Sequence, residues 1–128
     1  MLNDWRVVVL SGSLVARFAH FERTQPAMII VIATVQCKTG HREDFLVEFR
    51  KLVPEVLQED GCIEYGPTID AATGIGNQSV DENRVTIVEK WESVAALKAH
   101  LVAPHMEAYR PKVKGFVESS ELRVLETA

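Results

Sequence analysis

The chain has 128 residues, 47% of them hydrophobic and 25% charged, the balance of one soluble globular domain with a single core. A formal net charge of −4, with Lys and Arg scattered along the chain, excludes the basic face that nucleic acid requires, and no apolar run approaches the ~20 residues needed to cross a bilayer. Two cysteines, Cys37 and Cys62, make neither a disulfide framework nor a CxxC pair, so the expected compartment is the reducing cytoplasm.

Residues 1–27 stand outside the pattern of the rest. Asp4 precedes the first basic residue and Ser11-Gly12-Ser13 breaks the apolar stretch, which argues against a secretory signal. Trp5–Leu10 reads as an extra strand and Leu14–Phe21 as a short helix. The segment is either an arm that packs on the domain or its partner, or an upstream extension without a selected role. The domain proper spans residues 28–128.

Met28–Cys37 is apolar and β-branched and runs into Lys38-Thr39-Gly40, which predicts a mostly buried strand closed by a turn. From His41 to Gln58, Phe45, Phe49, Leu52, Val53 and Val56 share one helical face while Arg42, Glu43, Glu48, Arg50 and Glu55 face away. Pro54 is a potential kink in that helix. Glu59-Asp60-Gly61 is a helix stop, and Cys62–Asp70 alternates as a second strand, with Pro67 placing it at a sheet edge or a bulge. Ala71–Asn83, rich in Gly, Asn, Ser, Asp and Thr, is expected to be a long mobile connection and a candidate lid.

Arg84–Trp91 predicts a third strand. Ser93 caps a second amphipathic helix through Val94, Leu97 and Leu101, which Pro104 interrupts before a short piece ending near Tyr109. Phe116–Glu126 predicts a fourth strand. Strand, helix, strand, strand, helix, strand is the split βαβ order of an α+β, ferredoxin-like fold with an antiparallel sheet. Two helices cover only one face of such a sheet, so the other face is expected to pack on a second copy in a dimeric αβ-barrel.

Glu59-Asp-Gly-Cys-Ile-Glu-Tyr65, Val88-Glu-Lys-Trp-Glu-Ser93 and Leu97-Lys-Ala-His-Leu-Val-Ala-Pro-His-Met106 together resemble the antibiotic biosynthesis monooxygenase (ABM) domain, with its quinol monooxygenase branch the nearest match. The resemblance covers Met28 to about Glu126. It implies a homodimer and a pocket between sheet and helices where a small aromatic substrate, a quinol or polyphenol, is oxygenated by O2. It implies no flavin, haem or metal. The positions that match the family's pocket are Tyr65, Glu89, Trp91, His100 and His105.

A hydroquinone reacts with O2 once deprotonated, because its anion donates an electron far more readily than the neutral phenol. The protein must then supply a base and a dry aromatic pocket. Histidine suits the base, its ordinary pKa of about 6.5 lying near cellular pH. His100 and His105 are the candidate catalytic pair, and the helix break at Pro104 lets them converge although an i, i+5 spacing on an unbroken helix does not. Glu89 and Trp91 share a strand face, where Trp91 offers a ring and Glu89 orients a histidine or the substrate hydroxyl. Tyr65 offers a hydroxyl to the substrate oxygen. Glu64 points the opposite way, toward solvent or an interface, and Cys37 and Cys62 read as small buried hydrophobes.

Each residue also has a plainer structural role available, as a core ring or a polar cap. A metal site from His100, His105 and Glu89 has suitable ligand types but no signature such as HExxH. Haem-degrading relatives carry an Asn, a Trp and a ligand His where this chain has Ala33, His100 and Arg110, so haem degradation is not implied. An isomerase acting on a small oxygenated metabolite and a non-catalytic dimeric binding module are the alternative functions.

Overall fold

The computed structural model describes residues 8–10, 13–15 and 28–128. Two short strands, β1 (Val8–Leu10) and β2 (Ser13–Val15), pair antiparallel as a separate two-stranded sheet. Leu14 and Val15 are therefore in a strand where the sequence predicts the start of a helix. Val8, Val9, Leu10, Leu14 and Val15 are aliphatic and suit strand pairing, and a helix of that length has weak support in isolation. The rest of both predicted elements, residues 5–7 and 16–21, lies outside the described residues.

The domain comprises β3 (Ile29–Cys37), α1 (Arg42–Leu57), β4 (Cys62–Thr68), β5 (Arg84–Trp91), α2 (Val94–Leu101), α3 (Pro104–Val113) and β6 (Val117–Leu125). The four long strands form one antiparallel sheet in the order β4-β5-β3-β6, the ferredoxin-like arrangement expected, and the sheet is open at both edges. Alternation decides which side chains enter the core. Ile29, Val31, Val35 and Cys37 of β3 and Val85, Ile87, Glu89 and Trp91 of β5 turn inward, and Phe45, Leu46, Phe49, Leu52 and Val56 of α1 pack onto them.

Phe49 stacks on Tyr65 at 5.4 Å, and Tyr109 of α3 meets both Phe45 and Phe49 edge-on. Each such pair adds about 0.5–1.5 kcal/mol to the burial term. These rings fill the space between sheet and helices where the resemblance implies a pocket.

Local chemistry explains the element ends. Ser93 Oγ accepts the Ala96 N–H at 3.1 Å and starts α2, and Pro104 opens α3 at the first helical position, where its missing N–H costs nothing. α1 runs unbroken through Pro54, and α3 continues past Tyr109 through Pro111 to Val113, because Met106, Tyr109 and Val113 keep one face on the core. Pro67 lies on edge strand β4, which carries a bulge between Cys62 and Glu64.

The connection after β4 is tied down at its base. Arg84 donates to Asp70 from Nε at 3.0 Å and Nη2 at 2.6 Å, Asp70 also accepts the Asp81 N–H, and Asp81 accepts from Gln36. It also stands at the opposite end of the β4–β5 hairpin from Trp91, about 20 Å along the strand, so it does not cover the site described below.

The helices lie over β3, β4 and β5 and leave β6 bare. Leu122 and Val124, which pair with Ala33 and Val31 and so share the core side of the sheet, are 50% and 45% exposed.

Candidate functional site

The end of β5, the end of α2 and the start of α3 bring the expected residues together. Tyr65 pairs with Glu89 across β4 and β5, so both project inward side by side, and Trp91 follows on the same face. Trp91 Nε1 donates to Glu89 Oε1 at 2.8 Å. His100, from the last turn of α2, packs its ring against Trp91 at 4.7 Å and meets Tyr65 edge-on at 5.4 Å. His105 sits in the first turn of α3, on the far side of the Pro104 break.

Glu59, in the turn after α1, joins the two histidines. Its carboxylate faces His100 Nδ1 at 3.0 Å from Oε2 and 3.2 Å from Oε1, and Oε2 also meets His105 Nε2. A carboxylate only accepts, so His100 Nδ1 and His105 Nε2 are the ring nitrogens that present N–H to it. In the sequence Glu59 reads only as part of a helix stop. Its place at the head of the Glu59–Tyr65 stretch was the available signal.

Burial grades the site. His100 is 2% exposed, Glu89 5%, and Tyr65 and Trp91 are enclosed with them, whereas the His105 side chain keeps 20% of its surface open. A cleft of about 140 Å³ between α1 and α3, lined by Lys51, Leu52, Glu55 and Tyr109 among others, reaches His105 from solvent. His100, Tyr65, Glu89 and Trp91 are therefore closed off from solvent, and His105 is the member that lines the cleft.

Protonation follows the same gradient. Burial lowers the His100 pKa against the opposing pull of Glu59, which favours the neutral imidazole. Burial raises Glu89 to about 7, despite the Trp91 N–H that favours its anion. The Tyr65 hydroxyl is pushed well above its ordinary value by desolvation and the nearby Glu89, so it stays a neutral phenol. Cys62 is raised to about 11 by burial and by Glu59, a thiol without nucleophilic activation, and Cys37 is raised as well. Glu64 is on the outer face, 4.0 Å from Lys90.

The carboxylate beside both histidines is thus Glu59 and not Glu89, whose oxygen is engaged by Trp91. The ligand-type atoms of Glu59, His100 and His105 lie within 4.8 Å of one another.

Comparison with known proteins identifies the family. The antibiotic biosynthesis monooxygenase family matches residues 28–112. The Escherichia coli K12 protein named "Probable quinol monooxygenase YgiN" is 44% identical over 101 residues, which cover 77% of this chain and 97% of that protein. Among solved structures, SO0527 from Shewanella oneidensis superposes with a TM-score of 0.67 at 25% identity, over 79% of this chain and 91% of that one. PA3566 from Pseudomonas aeruginosa gives 0.69 at 23% identity, over 81% and 97%. No helix among the described residues is long and apolar enough to cross a membrane. The chain belongs to the antibiotic biosynthesis monooxygenase family, on its quinol monooxygenase-like branch, and is by that membership a monooxygenase.

Proposed function

We propose that this chain oxygenates a small aromatic quinol or polyphenol with O2 and without a bound cofactor, using His105 as the base. The observation that carries the reading is the Glu59 carboxylate held against both histidines. With its Nε2–H on Glu59, His105 keeps the Nδ1 lone pair to accept the quinol proton, and the imidazolium that forms is stabilised by the same carboxylate. The quinol anion then reduces O2. One oxygen atom enters the ring, the other leaves as water, and the quinol supplies all the electrons.

His100, neutral and wedged between Trp91 and Tyr65, is the second proton-handling group in this reading. Tyr65, Glu89 and Trp91 form the inner wall. Their burial supports a role in fixing His100 and closing the aromatic end of the site, with the Tyr65 hydroxyl and the Glu89 carboxyl as donors toward a substrate oxygen that reaches past the histidines.

The proposed working unit is a cytoplasmic homodimer. Exposed Leu122 and Val124 on β6, the neighbouring hollow lined by Pro111, Val113 and Val117, and half-buried Ile30, Ile32 and Val88 on the outer sheet face supply the apolar surface for a second copy.

The test is O2 uptake by the metal-stripped protein with a panel of hydroquinones and polyphenols, against autoxidation without enzyme. The reading expects uptake above background that falls by 10²–10⁴-fold in His105→Ala. Absence of uptake across the panel overturns it in favour of isomerisation or ligand binding.

A further inference from the structure

Glu59, His100 and His105 are contributed by three separate elements: the turn after α1, the last turn of α2 and the first turn of α3. His100 cannot swing away, because Trp91 and Tyr65 hold its ring at 4.7 and 5.4 Å. His100 is thus held in place before any ligand arrives, and Glu59 and His105 meet beside it.

We propose that this triad is a binding site for a divalent transition metal of the Zn²⁺ class, and that metal occupancy competes with proton transfer at the histidines. Two imidazoles and one carboxylate are the donor set that borderline cations prefer. Bonds of 2.0–2.2 Å at tetrahedral angles set neighbouring ligand atoms about 3.3 Å apart. His100 Nδ1 and Glu59 Oε2 are 3.0 Å apart and the three ligand atoms lie within 4.8 Å of one another, so an ion is seated once the partly exposed His105 and Glu59 side chains adjust about it. Three protein ligands leave a further position, and the α1–α3 cleft at His105 gives an ion its route in.

The competition follows from the ring atoms involved. A metal takes the lone pairs of His100 Nδ1 and His105 Nε2, the nitrogens that carry the N–H to Glu59 in the metal-free protein. Each ring proton must then shift to the other nitrogen. His105 Nδ1 becomes a donor and no longer accepts the quinol proton. This consequence rests on the proposed function; the binding itself does not.

The experiment uses the full chain stripped of metal. Co²⁺ is titrated and followed by its visible absorption, and Zn²⁺ by calorimetry. One ion per chain at micromolar concentrations is expected, with affinity at least tenfold weaker in Glu59→Gln and in His105→Ala. His41→Ala, which removes a histidine that pairs with Asp44 and stacks on Phe116 outside the triad, should bind as wild type, and circular dichroism verifies that the variants fold. No Co²⁺ band at millimolar concentration, or unchanged affinity in a folded Glu59→Gln, overturns the site. Saturating Zn²⁺ is then added to the O2-uptake assay. Loss of uptake supports the competition, and undiminished uptake in Zn²⁺-loaded protein overturns it together with the histidine base. A chain that shows no uptake before Zn²⁺ is added counts against the quinol reading alone, because the Co²⁺ titration still decides the site.

Discussion

Replacing Glu89 with Gln should make the protein more stable relative to wild type as the pH rises. Glu89 is 5% exposed and its carboxyl is raised from 4.5 to about 7, chiefly by desolvation. Between those pH values the folded chain holds a proton that the unfolded chain has released, so wild-type stability falls as pH rises and levels off above the folded value. At 1.36 kcal/mol per pH unit the full span amounts to roughly 3 kcal/mol. The substituted glutamine keeps an oxygen for the Trp91 N–H and carries no charge, but its amide must also be satisfied, at a cost of about 1–3 kcal/mol that is the same at every pH. The slope is therefore the diagnostic quantity. Urea denaturation followed by far-ultraviolet circular dichroism at pH 5 and pH 8 should show the difference between variant and wild type moving in the variant's favour by roughly 2.5 kcal/mol, the rest of the span lying below pH 5. A difference that is equal at the two pH values refutes the claim that Glu89 is held neutral by its surroundings.

Gly61 has a φ of +85°, and a Cβ added there lies 2.6 Å from the Ala96 Cβ. Gly61→Ala should cost about 2–4 kcal/mol in denaturant melts, from left-handed strain and the displaced α2, and should also slow O2 uptake by moving His100 from Glu59. Tyr65→Phe keeps the stack on Phe49 and should leave stability within about 1 kcal/mol; a raised KM with quinol places the hydroxyl on the substrate, and an unchanged KM assigns Tyr65 to packing. Arg84→Ala removes both guanidinium donors to Asp70 and leaves only the Asp81 N–H, and should speed hydrogen exchange and proteolysis over residues 70–83 while uptake stays at the wild-type rate. Arg84 holds the Asp70 carboxyl below its ordinary range, so in wild type the tether persists above the ordinary carboxylate pKa and loosens as pH falls through the lowered value. Exchange of residues 70–83 that is insensitive to both changes counts against that tether.

Much of the fold is legible in the sequence because its signals are local. Alternation along Arg84–Trp91 identifies both the strand and the face that carries Glu89 and Trp91, and Ser93 and Pro104 mark where α2 and α3 begin. The expected end near Tyr109 is overrun, since the packing of Tyr109 and Val113 carries α3 on through Pro111. The site is less legible, because its central contact is not local. Glu59 lies 41 residues from His100 and 46 from His105, and nothing in the composition of a helix stop announces a partner that far along the chain. Glu89 was the natural candidate for that carboxylate, being two residues from Trp91 on the correct face, yet that proximity is why its oxygen is engaged by the indole.

The tip of the β4–β5 connection offers a practical handle. Residues 74–77 are exposed, with Ile75 63% accessible, and an added Cβ meets nothing within 4 Å at Gly74 or Gly76. Loop tips of this kind accept insertions. A fluorophore, affinity tag or surface tether introduced there leaves the histidine end of the sheet unencumbered, so immobilised protein can be exposed to successive substrates and ions in flow without the attachment point entering the chemistry.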